Sequence, residues 1–191
     1  MKTKTTFVAG LFTIGTVITA LAHGGATGIV KERMDAMSVM GKTVKTLSSM
    51  MRGEIPFNET AVIEGALAIK AHAGEKLTGL FPKDNHNTGS EARDEIWSNW
   101  DEFKAISNQL SVMADGLEAA ADNGLMHSTK SKSSTMMGTG ASMMTKGDGM
   151  MGNASSMPDL ALLATMPTDG VFNMLTKTCS SCHTKFRLEK K

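Results

Sequence analysis

The stretch VFNMLTKTCSSCHTKFR, residues 171–187, shows the pattern from which the fold can be predicted. Its apolar positions recur at alternating intervals of three and four residues, which is the spacing of one face of an α-helix. An amphipathic helix is therefore predicted to begin after Pro167 and to carry both cysteines on its apolar face. The positions on that face are Phe172, Leu175, Cys179, Cys182 and Phe186.

Three earlier segments repeat the helical spacing. The first lies within residues 28–53, and Asn58 is the predicted N-cap of the second. The third is predicted to begin at a capping box formed by Thr88 and Glu91, and to stop at residues 123–124. Four amphipathic helices without a strand pattern predict an all-α fold, an antiparallel four-helix bundle.

The first 22 residues have the pattern of a secretory signal peptide. Lys2 and Lys4 precede an uncharged stretch over residues 7–21, and Ala20 and Ala22 provide small residues at a cleavage site. A membrane anchor is the alternative, but the apolar run is short and interrupted by glycines. We therefore expect cleavage after Ala22 and a periplasmic protein without a membrane span.

The composition excludes one functional class and shows one outlier. Twenty Lys+Arg balance 19 Asp+Glu in the 191 residues, so a generally basic nucleic-acid-binding protein is excluded. The outlier is methionine, of which there are 17.

Many of these methionines fall in residues 128–157, a low-complexity segment between the third and fourth helices. Its period of seven places Met pairs at 136–137, 143–144 and 150–151. Glycine in each unit argues against a coiled coil, and we expect a flexible insertion within a single domain over residues 23–191. Because soft thioethers select Cu(I), binding of Cu(I) by this insertion is an alternative to a linker role.

The motif Cys179-Ser180-Ser181-Cys182-His183 carries the clearest chemistry. C-x-x-C-H is the attachment sequence of c-type haem, and on a helix its three functional side chains share one face. The alternatives are a thioredoxin-like pair, which needs a βαβ setting, and a zinc site, which needs ligands that the scattered histidines do not supply. The motif predicts one covalently bound haem c, with Cys179 and Cys182 as thioether attachments and His183 as the proximal iron ligand.

The chain resembles the class II c-type cytochromes, which are the cytochrome c′ family and its low-spin relatives. The resemblance covers all four helices but not the Met-rich insertion, and it implies a four-helix bundle with a single haem near the C-terminus. The matching stretches are IVKERMDAMSVMG at 29–41, RGEIPFN at 52–58, LFPKDN at 80–85, EARDEIWSNWDEF at 91–103 and CSSCHTKFR at 179–187.

This resemblance also implies roles around the iron. Arg33 matches an arginine that reaches a haem propionate, and Met37, one turn later, matches the residue of the distal pocket. A methionine there resembles the low-spin members, in which the thioether is a sixth ligand; the alternatives are a core methionine, or ligation by Met40 instead. Arg187 resembles an arginine near the haem edge, and it also suits the end of a helix dipole.

A haem held by histidine and methionine suits one-electron transfer between periplasmic redox proteins. The sequence has no nucleophile–base pair or carboxylate dyad with convincing spacing, so we do not expect an enzyme. The alternative is a five-coordinate iron that binds nitric oxide or carbon monoxide. The resemblance further implies a homodimer formed through the first two helices.

Overall fold

The computed structural model describes residues 26–83, 90–126 and 159–189. The predicted signal peptide, Thr88 and the Met-rich insertion lie outside these ranges.

Seven α-helices occur in the described ranges, and four of them are long enough to form a bundle. The helix α5 packs against both α2 and α7, and α1 packs against α2. The predicted all-α four-helix bundle is confirmed. The helices are α1 (Gly28–Met51), α2 (Glu59–Lys70), α3 (Glu75–Thr78), α4 (Glu95–Ser98), α5 (Trp100–Ala119), α6 (Leu160–Ala164) and α7 (Thr168–Phe186), with a 3₁₀ turn at Ala121–Asn123.

Several helix ends agree with the sequence prediction. The side chain of Asn58 accepts a hydrogen bond from the backbone N–H of Ala61 at 2.8 Å, which confirms it as the N-cap of α2. After α5 and the 3₁₀ turn the chain leaves its helical path at Gly124, where φ is +70°. Pro167 directly precedes α7, as predicted.

The predicted start of the third helix is wrong. Glu91 lies in an extended segment, and helical structure begins only at Glu95. Residues 90–93 pair instead with the end of α7: Arg93 N–H donates to the Phe186 carbonyl, and Leu188 N–H donates to the Glu91 carbonyl. These long-range bonds take the place of a helical turn, and a local capping pattern does not reveal them.

The short helix α6 was not predicted from the sequence. Its Leu163 is buried against Gly116 of α5. The side chain of Asn123 donates to the carbonyls of Ala164 and Met166, both at 2.8 Å. These contacts fix the link between α6 and α7 to the end of α5.

Two buried clusters stabilise the bundle. The aromatic cluster lies near the N-terminal half of α1 and the C-terminal end of α7, and consists of Leu77, Phe81, Ile96, Phe103 and Phe186. The main core cluster occupies the remaining length and consists of Met40, Leu47, Met50, Val62, Ala66, Ile69, Ala73, Leu110, Met113, Ala114, Leu117, Ala120, Ala121, Leu163, Val171, Phe172 and Leu175.

None of the helices in the described ranges has the length and hydropathy that a membrane span requires.

Candidate functional site

A cavity of about 480 Å³ lies between α1 and the C-terminal end of α7. Its volume falls within the range of about 300–1,000 Å³ that is typical of small-molecule and cofactor sites. Helices α1, α4, α5 and α7 and the segment before α4 all contribute to its wall. The lining residues are Val30, Arg33, Met34, Met37, Ser38, Gly41, Phe81, Ser90, Glu91, Ala92, Ile96, Phe103, Cys182, His183, Phe186 and Arg187.

The α1 wall of the cavity has helical spacing, since residues three and four apart share a face. Arg33 and Met37 both line it, and Met37 also packs against both buried clusters. Met40 is only 7% exposed, belongs to the main core cluster and does not line the cavity. Met34 and Ser38 line the cavity as well and were not predicted from the sequence, although both lie on the same face as Arg33 and Met37.

Arg33 is buried, with 4% of its surface exposed. Its Nη1 donates to Ser90 Oγ at 3.3 Å, and its guanidinium carbon lies 4.4 Å from the centroid of the Phe81 ring, a cation–π distance. Its Nε and Nη2 atoms are buried and have no hydrogen-bond partner among the residues that the structure describes. Burial lowers the pKa of this guanidinium, which still remains charged. A buried cation with two unpaired donors is costly, and an anionic group in the cavity would compensate it.

The end of α7 contributes Cys182, His183, Phe186 and Arg187 to the same cavity. Cys179 does not line it; this thiol is half-buried and packs against the main core cluster, whereas Cys182 packs against the aromatic cluster. The two cysteines are free rather than disulfide-bonded.

Burial also governs the titration of the motif. It raises the pKa of both thiols, that of Cys182 to about 11 with a further contribution from Cys179. The pKa of His183 is lowered, first by burial and then by the Arg187 cation, while Glu91 acts in the opposite direction. At neutral pH the imidazole is therefore mainly uncharged, which is the form that binds iron.

Aromatic rings form one apolar wall of the cavity. Phe81 and Phe186 each meet the Phe103 ring edge-on, with centroid distances of 4.9 and 5.4 Å. Trp100, which does not line the cavity, packs against Phe103 with a distance of 5.7 Å between the ring centroids. Trp97 Nε1 donates to the Pro82 carbonyl. Such a wall suits a flat apolar ligand.

Comparison with known proteins assigns the family. A family model described as Cytochrome C' matches residues 28–142, which is more than half of the chain. The chain belongs to the cytochrome c′ family. Members carry covalently bound haem c, so this protein is a haem c-type cytochrome. The matched range ends before residues 179–187, which contain the C-x-x-C-H motif.

Individual relatives agree with this assignment. The cytochrome is 34% identical over 119 residues to cytochrome c-556 of Agrobacterium fabrum, covering 62% of this chain and 77% of the relative. It is 30% identical over 115 residues to cytochrome c' of Rhodopseudomonas palustris, covering 60% and 75%. A solved structure of cytochrome c' from Rhodopseudomonas palustris matches the fold with a TM-score of 0.58 at 21% identity, covering 87% of this chain and all of that one.

The cavity of this cytochrome fits a haem c. It combines an apolar aromatic wall, a free thiol beside an uncharged imidazole, and a buried guanidinium that has no anionic partner among the described residues. Within the described ranges no group of three or more His, Cys, Asp or Glu residues is arranged to hold a metal ion.

Proposed function

We propose that this cytochrome carries single electrons through one haem c attached by Cys179 and Cys182, with His183 as the proximal ligand. The observation that supports this most is that His183 of α7 and Met37 of α1 line the same cavity, although they are far apart in sequence. An iron bound in this cavity would be held by one side chain from each of these two helices.

Met37 is the distal ligand in this proposal. Its thioether lines the cavity, whereas that of Met40 is buried in the main core cluster. Histidine–methionine ligation is common in electron-transfer cytochromes, and the thioether raises the reduction potential. Because Met37 packs against both buried clusters, its position depends on the bundle as a whole.

Two arginines bind the edge of the haem in this proposal. Arg33 Nε and Nη2, which have no partner in the described part of the chain, would donate hydrogen bonds to a propionate, and the planar guanidinium suits a carboxylate. Arg187 lies one turn after His183 and lines the cavity beside it. When bound, the haem supplies an iron that cycles between the ferrous and ferric states, and the side chains hold it in place during the cycle.

We place the protein in the periplasm because of the signal-peptide pattern of residues 1–22. Its partners would then be periplasmic redox proteins, and the family resemblance favours a homodimer. Relatives named cytochrome c-556 and cytochrome c' both match the chain. The choice between an electron carrier and a binder of nitric oxide or carbon monoxide therefore depends on whether Met37 binds the iron.

The test compares three variants of the holoprotein: Met37→Leu, Met40→Leu and Met34→Leu. Each replaces a thioether by a side chain of similar volume, so the packing changes little while the sulfur is lost. We expect the wild type and Met40→Leu to give low-spin spectra that carbon monoxide leaves unchanged, with the ferric methionine–iron charge-transfer band. Met37→Leu should become high-spin and bind carbon monoxide.

Other outcomes assign the site differently. Loss of the band in Met34→Leu alone would make Met34 the ligand. A high-spin wild type that responds to carbon monoxide at once would refute the six-coordinate carrier and favour the gas binder.

A further inference from the structure

Glu91 and Arg187 form an ion pair at the wall of the cavity. Arg187 Nε and Nη2 both donate to Glu91 Oε2, at 2.8 and 2.7 Å. Both residues line the cavity next to His183. The ion pair therefore lies on the His183 side of the cavity, and it joins the segment before α4 to the end of α7.

The backbone holds this pair in place on both sides. Leu188 N–H donates to the Glu91 carbonyl at 2.8 Å, Arg93 N–H donates to the Phe186 carbonyl at 3.0 Å, and Ala92 and Arg187 form an antiparallel bridge. An exposed ion pair contributes little when two long side chains must be ordered to form it. Here the backbone already brings the two residues together, so less ordering is required of the side chains.

The pair is also tied to His183. Arg187 N–H, directly after the end of α7, donates to the His183 carbonyl at 3.1 Å, and both side chains line the cavity. The opposite charges of Glu91 and Arg187 therefore lie together on the His183 side of the cavity.

We propose that Glu91 is a positioning residue for the proximal side: it holds Arg187 beside His183 and offsets its positive charge, so that the pair keeps the reduction potential lower than an unpaired arginine would. This inference rests on the proposed attachment of haem at His183. When the iron takes one electron from a redox partner, its charge falls by one. An uncompensated cation nearby favours the ferrous state, and an uncompensated carboxylate favours the ferric state.

The experiment measures the midpoint potential of holoprotein variants by titration with redox mediators. Glu91→Gln leaves the Arg187 cation unpaired and should raise the potential. We expect the ferrous-to-ferric ratio at a fixed applied potential to increase about two- to fourfold, since the pair is partly exposed and screened. Arg187→Gln should lower the potential, and the double variant should return it close to the wild-type value.

Glu54→Gln is the matched control. Glu54 accepts two hydrogen bonds from Arg52, at 2.7 and 3.0 Å, so the same charge is removed from a similar pair. That pair follows the end of α1, about 16 Å along the helix from Gly41, the last α1 residue of the cavity. We expect this variant to leave the potential unchanged.

The outcomes separate this inference from the proposed function. If the spectra show that His183 is not a ligand, the proposed function is wrong. Intact spectra with an unchanged or lowered potential in Glu91→Gln would overturn the role of Glu91. An equal shift in Glu54→Gln would also overturn it, because the effect would then follow net charge alone. A lower melting temperature without a shift in potential would reduce Glu91 to a structural role.

Discussion

Replacing Arg33 tests the haem site through the stability of the holoprotein. This guanidinium donates a hydrogen bond to Ser90 Oγ and makes a cation–π contact with Phe81, and within the described ranges its buried Nε and Nη2 have no partner. If a haem propionate accepts from these two atoms, Arg33→Gln removes charge-assisted bonds worth about 1.5–3 kcal/mol each before compensation. The cation–π contact adds roughly 0.5–2 kcal/mol.

Because glutamine can replace part of this bonding, we expect a net loss of about 2–4 kcal/mol. For a chain of this length that corresponds to a melting temperature lowered by roughly 5–15 °C, measured by the haem absorbance on heating. Arg52→Gln is the control, since its exposed ion pair with Glu54 contributes little to the stability of the fold. Equal melting temperatures for the two variants would refute the proposal that Arg33 binds an anionic group of the haem.

Two further predictions concern the packing of α6 and the Met-rich insertion. A Cβ added at Gly116 would lie 2.6 Å from Leu163 Cδ1, so we expect Gly116→Ala to lower the free energy of unfolding by about 1–2 kcal/mol in urea. A Cβ added at Gly170 would lie no closer than 3.5 Å to its nearest neighbour, Met166 Cε, so Gly170→Ala should be neutral or stabilising. A larger loss of stability in Gly170→Ala than in Gly116→Ala would contradict this packing. Deleting residues 128–157 should leave the haem spectrum and its response to carbon monoxide unchanged. The chain before the insertion is anchored near the start of α7, where Met126 N–H donates to Asp169 Oδ1. This point lies about 20 Å along the helix from His183, so the insertion starts far from the cavity. Any Cu(I) retained by the full chain in equilibrium dialysis should be lost with this deletion, and an altered spectrum would contradict the separation of the two sites.

Helical spacing predicted the bundle because each long helix buries one continuous stripe of side chains. Local sequence patterning also predicted several helix ends, such as Asn58 at the start of α2. It failed for Glu91, whose capping pattern is local but whose backbone pairs with a residue almost a hundred positions later. It also missed α6, because a helix of five residues is too short to show a period.

In the candidate site, too, local sequence patterns predicted some residues, and long-range pairing of the backbone determined others. The C-x-x-C-H motif and the four-residue spacing of Arg33 and Met37 are local, so these residues could be chosen from the sequence, and five of the six chosen residues line one cavity. The exception is Cys179, which packs against the main core cluster. Glu91 and Ser90 could not be chosen, since they reach the cavity only through the pairing of their segment with α7.

The two cysteines lie on different parts of the core, and this arrangement bears on how the haem would be held. Cys182 packs against the aromatic cluster at the cavity, while Cys179 packs against the main core cluster. Met37 packs against both clusters from the α1 side. A haem attached through both thiols and bound by Met37 would therefore be connected to both clusters from two helices. Relaxing its coordination would disturb packed side chains as well as the iron, which favours a site that changes its charge with little change in structure.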